Sequence, residues 1–95
     1  MVFYKEESEW VFDILRDGTE KDYDVLKRLS QIGLCWGSKE KLTEWVPGYS
    51  NGYVVYSVNR NMRLYTGTIG VSSEQITSGE FLAKPINWTL MKVRA

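Results

Sequence analysis

The stretch from Thr19 to Leu34 constrains this chain most, because it spells a helix together with both of its ends. Thr19 is a suitable N-cap, and Asp22, three residues on, can bond back in the manner of a capping box. Glu20 and Asp22 fall in the positively polarised first turn, and Lys27 and Arg28 fall toward the negative end. Tyr23, Leu26, Leu29 and Ile32 recur every three residues, with Val25 beside them, and form one apolar stripe. Asp24 and Arg28 are spaced to pair across a turn. Gly33 suits the left-handed position after the helix, and Leu34 suits the apolar residue that folds back on the last turn. The spacing predicts an amphipathic helix over residues 20–32, whose stripe must be covered by other elements.

Those other elements read mainly as strands. Residues 2–5 and 9–15 flank the polar turn Glu6-Glu7-Ser8. The second run alternates Trp10, Phe12 and Ile14 on one face and turns Asp13 to the other, toward solvent. A helix over 6–16 is its rival, since Trp10, Val11, Ile14 and Leu15 also share a helical face; the strand is the expectation carried forward. Residues 34–36 form a short strand leaving the helix. Residues 42–52, dense in turn formers, read as a long loop. Residues 53–58 and 62–66 form a hairpin around Asn59-Arg60-Asn61, where Asn tolerates positive φ. Thr77-Ser78-Gly79-Glu80 is a fuller capping box and opens a short helix that ends before Lys84-Pro85. Residues 86–93 read as a last strand. The expected fold is one α+β domain over 1–95, a small, mostly antiparallel sheet with one long helix across a face.

Composition narrows the chemistry. The chain has 95 residues with one Cys and no His. Cys35 therefore has neither an internal disulfide partner nor an imidazole to activate it, and reads as a small buried thiol. Without His, a Cys pair or a calcium-type acidic run, no metal site and no cofactor are expected. No catalytic residues are assigned, and the expectation is a non-enzyme. No apolar run is long enough to span a membrane, and no secretory leader is read at the start, where Lys5-Glu6-Glu7 follows at once. The expected location is the cytoplasm.

The formal net charge of zero conceals two halves: residues 1–24 hold eight acids and three bases, and the remainder holds four acids and nine bases. One account is local, since acids suit helix starts; the other is a surface with an acidic and a basic end. Residues 36–53 set Trp36, Trp45, Tyr49 and Tyr53 among Lys39, Glu40, Lys41 and Glu44. Exposed aromatic residues of this kind dominate binding interfaces; alternatively Trp45 and Tyr49 lid the sheet edge. The candidate contact residues are Trp45, Tyr49, Arg60, Arg63, Lys39 and Lys41.

The segment from Asp22 to Ser38, a helix ending in Gly33 followed by Leu34, Cys35, Trp36 and a small-residue turn, resembles a pattern in small proteins encoded by bacteriophages and prophages. Thr77-Ser-Gly-Glu-Phe-Leu82 resembles the closing stretch of the same pattern. The resemblance implies a small accessory protein acting in the host cytoplasm. Its implied role is to bind and inhibit a host protein, such as a defence nuclease. Sequestering a small nucleotide is the alternative, and single-stranded nucleic-acid binding is a third reading.

Overall fold

A computed structural model describes residues 9–95 of the chain. The expected strand over 2–5 and the turn after it lie outside the described residues. The elements run β1 (Trp10–Leu15), α1 (Lys21–Gln31), β2 (Cys35–Trp36), a single 3-10 turn (Tyr49–Asn51), β3 (Val55–Asn59), β4 (Arg63–Gly67), β5 (Gln75–Thr77), α2 (Ser78–Leu82) and α3 (Trp88–Arg94). The strands form one five-stranded sheet in the order β2-β4-β3-β1-β5. The chain is α+β, as expected.

The sheet is antiparallel at its centre, as expected, and parallel at its two edges. β3 pairs antiparallel with both β1 and β4, whereas β5 pairs parallel with β1 and β2 pairs parallel with β4. The reason lies in two crossovers. α1 carries the chain from β1 to the far edge, so β2 starts in the same direction as β1, and parallel strands need such a connection. Residues 68–74 then carry it back from β4 to β5.

Phe12 and Ile14 of β1, Tyr56 and Val58 of β3, Leu64 of β4 and Ile76 of β5 share one sheet face and are all buried. They meet Val25, Leu26 and Leu29 of α1, Phe81 of α2 and Val93 of α3 in a single core. Aromatic packing holds its centre, with the Trp88 ring edge-on to Phe12 at 4.8 Å.

α1 ends as its sequence predicts. Gly33 has φ +101°, its N–H donates to the Ser30 carbonyl at 3.1 Å, and the N–H of Leu34 donates to the Leu29 carbonyl at 3.0 Å. These two bonds form a Schellman cap. The other end differs. Glu20 occupies the N-cap position and makes no side-chain cap bond. Thr19 only approaches the N–H of Lys21, at 3.3 Å, while its hydroxyl donates to Asp17 at 2.7 Å.

The buried set of α1 is Asp22, Val25, Leu26 and Leu29, and Tyr23 is 53% exposed rather than part of the stripe. A strict three-residue repeat drifts around a helix of 3.6 residues per turn, and the i, i+3, i+4, i+7 set stays on one face. Arg28 does not pair with Asp24; its guanidinium reaches across to the Lys84 carbonyl at 2.9 Å.

Four further expectations are corrected. Residues 86–93 are not a strand, since Trp88–Arg94 is helical with Thr89 and Val93 buried one turn apart. Their β-branched and aromatic content suits a strand, but the i, i+4 spacing presents both inward from a helix. A bulge between Trp10 and Phe12 turns Trp10 off the core face, so that its ring meets Tyr65 edge-on at 5.1 Å. Asp13 does face away from the core, as expected, but it is 0% exposed. The 68–74 crossover covers it, and the N–H of Ser72 donates to its Oδ2 at 2.9 Å. Gly70 lies against that same carboxylate, where a Cβ would stand 2.1 Å from Oδ2. In the hairpin turn the positive φ (66°) belongs to Met62, not to an Asn. Asn59 serves the turn instead, accepting from the N–H of Asn61 through its side chain at 3.1 Å.

Candidate functional site

β2 is only two residues long, and this shortness creates the site. Cys35 and Trp36 pair with Arg63 and Leu64, and the N–H of Gly37 donates to the Leu64 carbonyl at 3.0 Å. The chain then turns away. Lys39 takes φ +75°, its N–H donates to the Trp36 carbonyl at 2.7 Å, and the N–H of Trp36 donates to the Glu40 carbonyl at 2.9 Å. The turn thus brings Glu40 back beside Trp36, and the Ser38 hydroxyl donates to its carboxylate at 3.2 Å.

Beyond this turn β4 has no outer neighbour among the described residues. The Gly67 carbonyl accepts from Val54 N–H at 2.9 Å, so the main-chain groups of Gly67 face β3. Those of Thr66, one residue earlier, face outward by the alternation of an antiparallel pair. Among the described residues no group bonds to them.

Aromatic side chains flank this open edge. The Trp36 indole N–H donates to the Trp45 carbonyl at 3.0 Å and so anchors the loop that carries Trp45. The Trp45 ring stands edge-on to Trp36 at 5.2 Å and to Tyr53 at 6.2 Å. Trp36 is buried, whereas Trp45 remains 45% exposed. On the other side Tyr65 lies over Gly37, where a Cβ would stand 2.3 Å from its Cε2; the cleft wall requires a glycine there. Trp36, Gly37, Ser38, Glu40, Trp45, Leu64, Tyr65 and Thr66 line an open cleft of about 410 Å³. Its lining holds one acid and no base.

The six residues expected from the sequence do not form one patch. Trp45 lies in the cleft. Lys39 and Lys41 are exposed on the neighbouring turn but do not line it. Tyr49 sits elsewhere, against Gly18, with the Arg16 guanidinium 5.6 Å from its ring centre. Arg63 is half-buried in β4 opposite Cys35. Arg60 donates from Nη1 to the Val93 carbonyl at 2.9 Å and to the Ala95 carbonyl at 2.8 Å, tying down the end of α3. Tyr65, Glu40 and Thr66 are among the cleft residues that the six candidates left out. Strand alternation in 62–66 was the available signal for Tyr65, since it turns that side chain away from the core when Leu64 faces in.

A buried polar cluster lies elsewhere and serves the fold. Asp22 accepts from Arg16 Nε at 3.2 Å, from the Ser78 hydroxyl at 3.0 Å, and from the N–H groups of Gly18 at 3.0 Å and Asp17 at 3.3 Å. Arg16 in turn donates to the Tyr53 carbonyl at 2.8 Å and lies over the Tyr56 ring at 4.8 Å. Burial pushes the Tyr56 phenol well above its ordinary pKa, with the nearby Arg16 charge opposing. Among the described residues no group of three or more His, Cys, Asp or Glu side chains is placed to hold a metal ion. No described helix is long and apolar enough to cross a membrane. Comparison with known proteins gave no match, whether to a family model, to a curated protein or to a solved structure.

Proposed function

We propose that this chain is a non-enzymatic protein-binding module that grips its partner at the Trp36–Trp45 cleft. One observation carries the reading: Trp45 stands 45% exposed at the mouth of a cleft, on a loop anchored by the Trp36 indole. A large apolar ring held in place before binding loses little entropy on docking, which is how aromatic residues come to dominate interfaces. Glu40 is the one charged residue among the described lining residues, and its carboxylate disfavours a phosphate-bearing ligand. This favours a protein over a nucleotide or a nucleic acid. The finer reading, an accessory protein that inhibits a host protein such as a defence nuclease in the host cytoplasm, rests on the bacteriophage resemblance.

Affinity capture from a bacterial lysate with the wild type, Trp45→Ala and Tyr23→Ala tests the module. Tyr23 is the control, an exposed ring outside the cleft. Trp45→Ala is expected to weaken the recovered partner at least tenfold, as removal of a hot spot of about 2 kcal/mol does. Tyr23→Ala is expected to leave it unchanged, with thermal melts showing both variants folded at the temperature of capture. Retention of the partner by Trp45→Ala overturns the reading.

A further inference from the structure

We infer that the occupant of the cleft is an arginine side chain, presented by an extended segment of the partner that pairs with the open edge of β4. The inference rests on the protein-binding reading and specifies its chemistry.

Three observations converge. The first is the backbone of Thr66, whose N–H and C=O face outward where β2 has ended and have no partner among the described residues. An unpaired strand edge is a template for an added strand, and its main-chain bonds bind without regard to sequence. The second is that side chains from both faces of the sheet border this edge. Trp36 and Leu64 lie on the core side and Tyr65 on the other, so a strand laid along Thr66 passes through the cleft rather than beside it.

The third is charge. Trp36, Trp45 and Tyr65 line this space with one acidic residue, Glu40, whose carboxylate lies at the lining Ser38 hydroxyl; no base is among the described lining residues, and the exposed Lys39 and Lys41 stand outside it on the neighbouring turn. Aromatic faces attract cations, and a carboxylate selects them over neutral groups. A guanidinium meets both demands, because its plane stacks on a ring while its edge offers forked N–H donors to a carboxylate. Lysine offers only a compact, strongly hydrated charge, and a phosphate would meet Glu40 with like charge. Glu40 is presented by the Lys39 turn, and its carboxylate already accepts from the Ser38 hydroxyl, which restricts its orientation.

The test uses the whole chain and two capped pentapeptides with valine and threonine flanking a central residue, arginine in one and its neutral isostere citrulline in the other. Tryptophan fluorescence and amide NMR shifts follow the titration. The arginine peptide is expected to bind roughly tenfold more tightly than the citrulline peptide. Glu40→Gln is expected to remove most of that difference, and added salt to reduce it. The Thr66 amide should shift as it gains a main-chain acceptor. Equal binding of the two peptides, binding of neither, or arginine binding without a Thr66 shift overturns the inference. If the peptides fail while Trp45→Ala still releases the natural partner, the occupant is wrong and the module stands. If Trp45→Ala keeps the partner, the module itself is wrong.

Discussion

At the scale of single residues, Asp22 carries more of this structure than any other polar group. It is 1% exposed and gathers four donors from β1's exit, from the β1–α1 turn and from α2. Removing it leaves Arg16 buried without its counter-charge, a change that costs about 3–5 kcal/mol. Asp22→Ala is therefore expected to lower the urea midpoint strongly. Tyr56→Phe is the informative contrast. Its hydroxyl is buried and has no partner among the described residues, so deleting it removes a desolvated group and no bond. The ring, and with it the Arg16 contact, stays. Equilibrium unfolding should show Tyr56→Phe as stable as the wild type or more so. Asp22 was legible in the sequence only as a helix-start acid; its partners Arg16 and Ser78 lie on separate elements, and no local spacing links them.

Among the elements, helix ends were the most legible features because capping is local. Gly33-Leu34 and Thr77-Ser-Gly-Glu both do what their sequences specify. At α2 the Thr77 hydroxyl accepts from the N–H of Glu80 at 3.0 Å, and the Glu80 carboxylate accepts from the N–H of Thr77 at 2.9 Å. The Thr77 main-chain bond, with the hydroxyl second, holds the Glu80 carboxyl below its ordinary pKa. A depressed carboxylate stabilises the fold above its unfolded pKa, and that contribution is lost as pH falls through the folded value. Thermal melts of the wild type and Glu80→Gln should differ at neutral pH and converge on acidification to about pH 3. Glu80 is fully exposed, so the gap should be small. α3 was misread for the complementary reason. Its composition favours a strand, and only packing of Trp88 onto Phe12 and Phe81 decides for a helix.

Across the whole molecule, the chain is held by contacts between segments far apart in sequence. Arg60 belongs to the hairpin turn yet fastens the last carbonyls of the chain, satisfying acceptors that a helix end leaves unpaired. Arg60→Ala should speed amide exchange through residues 88–94 while leaving the β3–β4 hairpin protected; equal exchange in both proteins would show the tie to be idle.

Local sequence was sufficient for whatever is settled within a few residues: the body of α1 and its glycine cap, the capping box of α2, the hairpin, the α+β class and a chemistry without imidazole. It was insufficient wherever distant segments meet. The burial of Asp13 depends on a crossover sixty residues away. The mixed sheet depends on where α1 delivers β2. The cleft exists because β2 stops after two residues and leaves the main chain of Thr66 open between Trp36 and Tyr65. Capping and periodicity act through bonds to near neighbours, so they leave a trace in the sequence. Burial and edge pairing depend on which surfaces come together, and only the folded chain decides that.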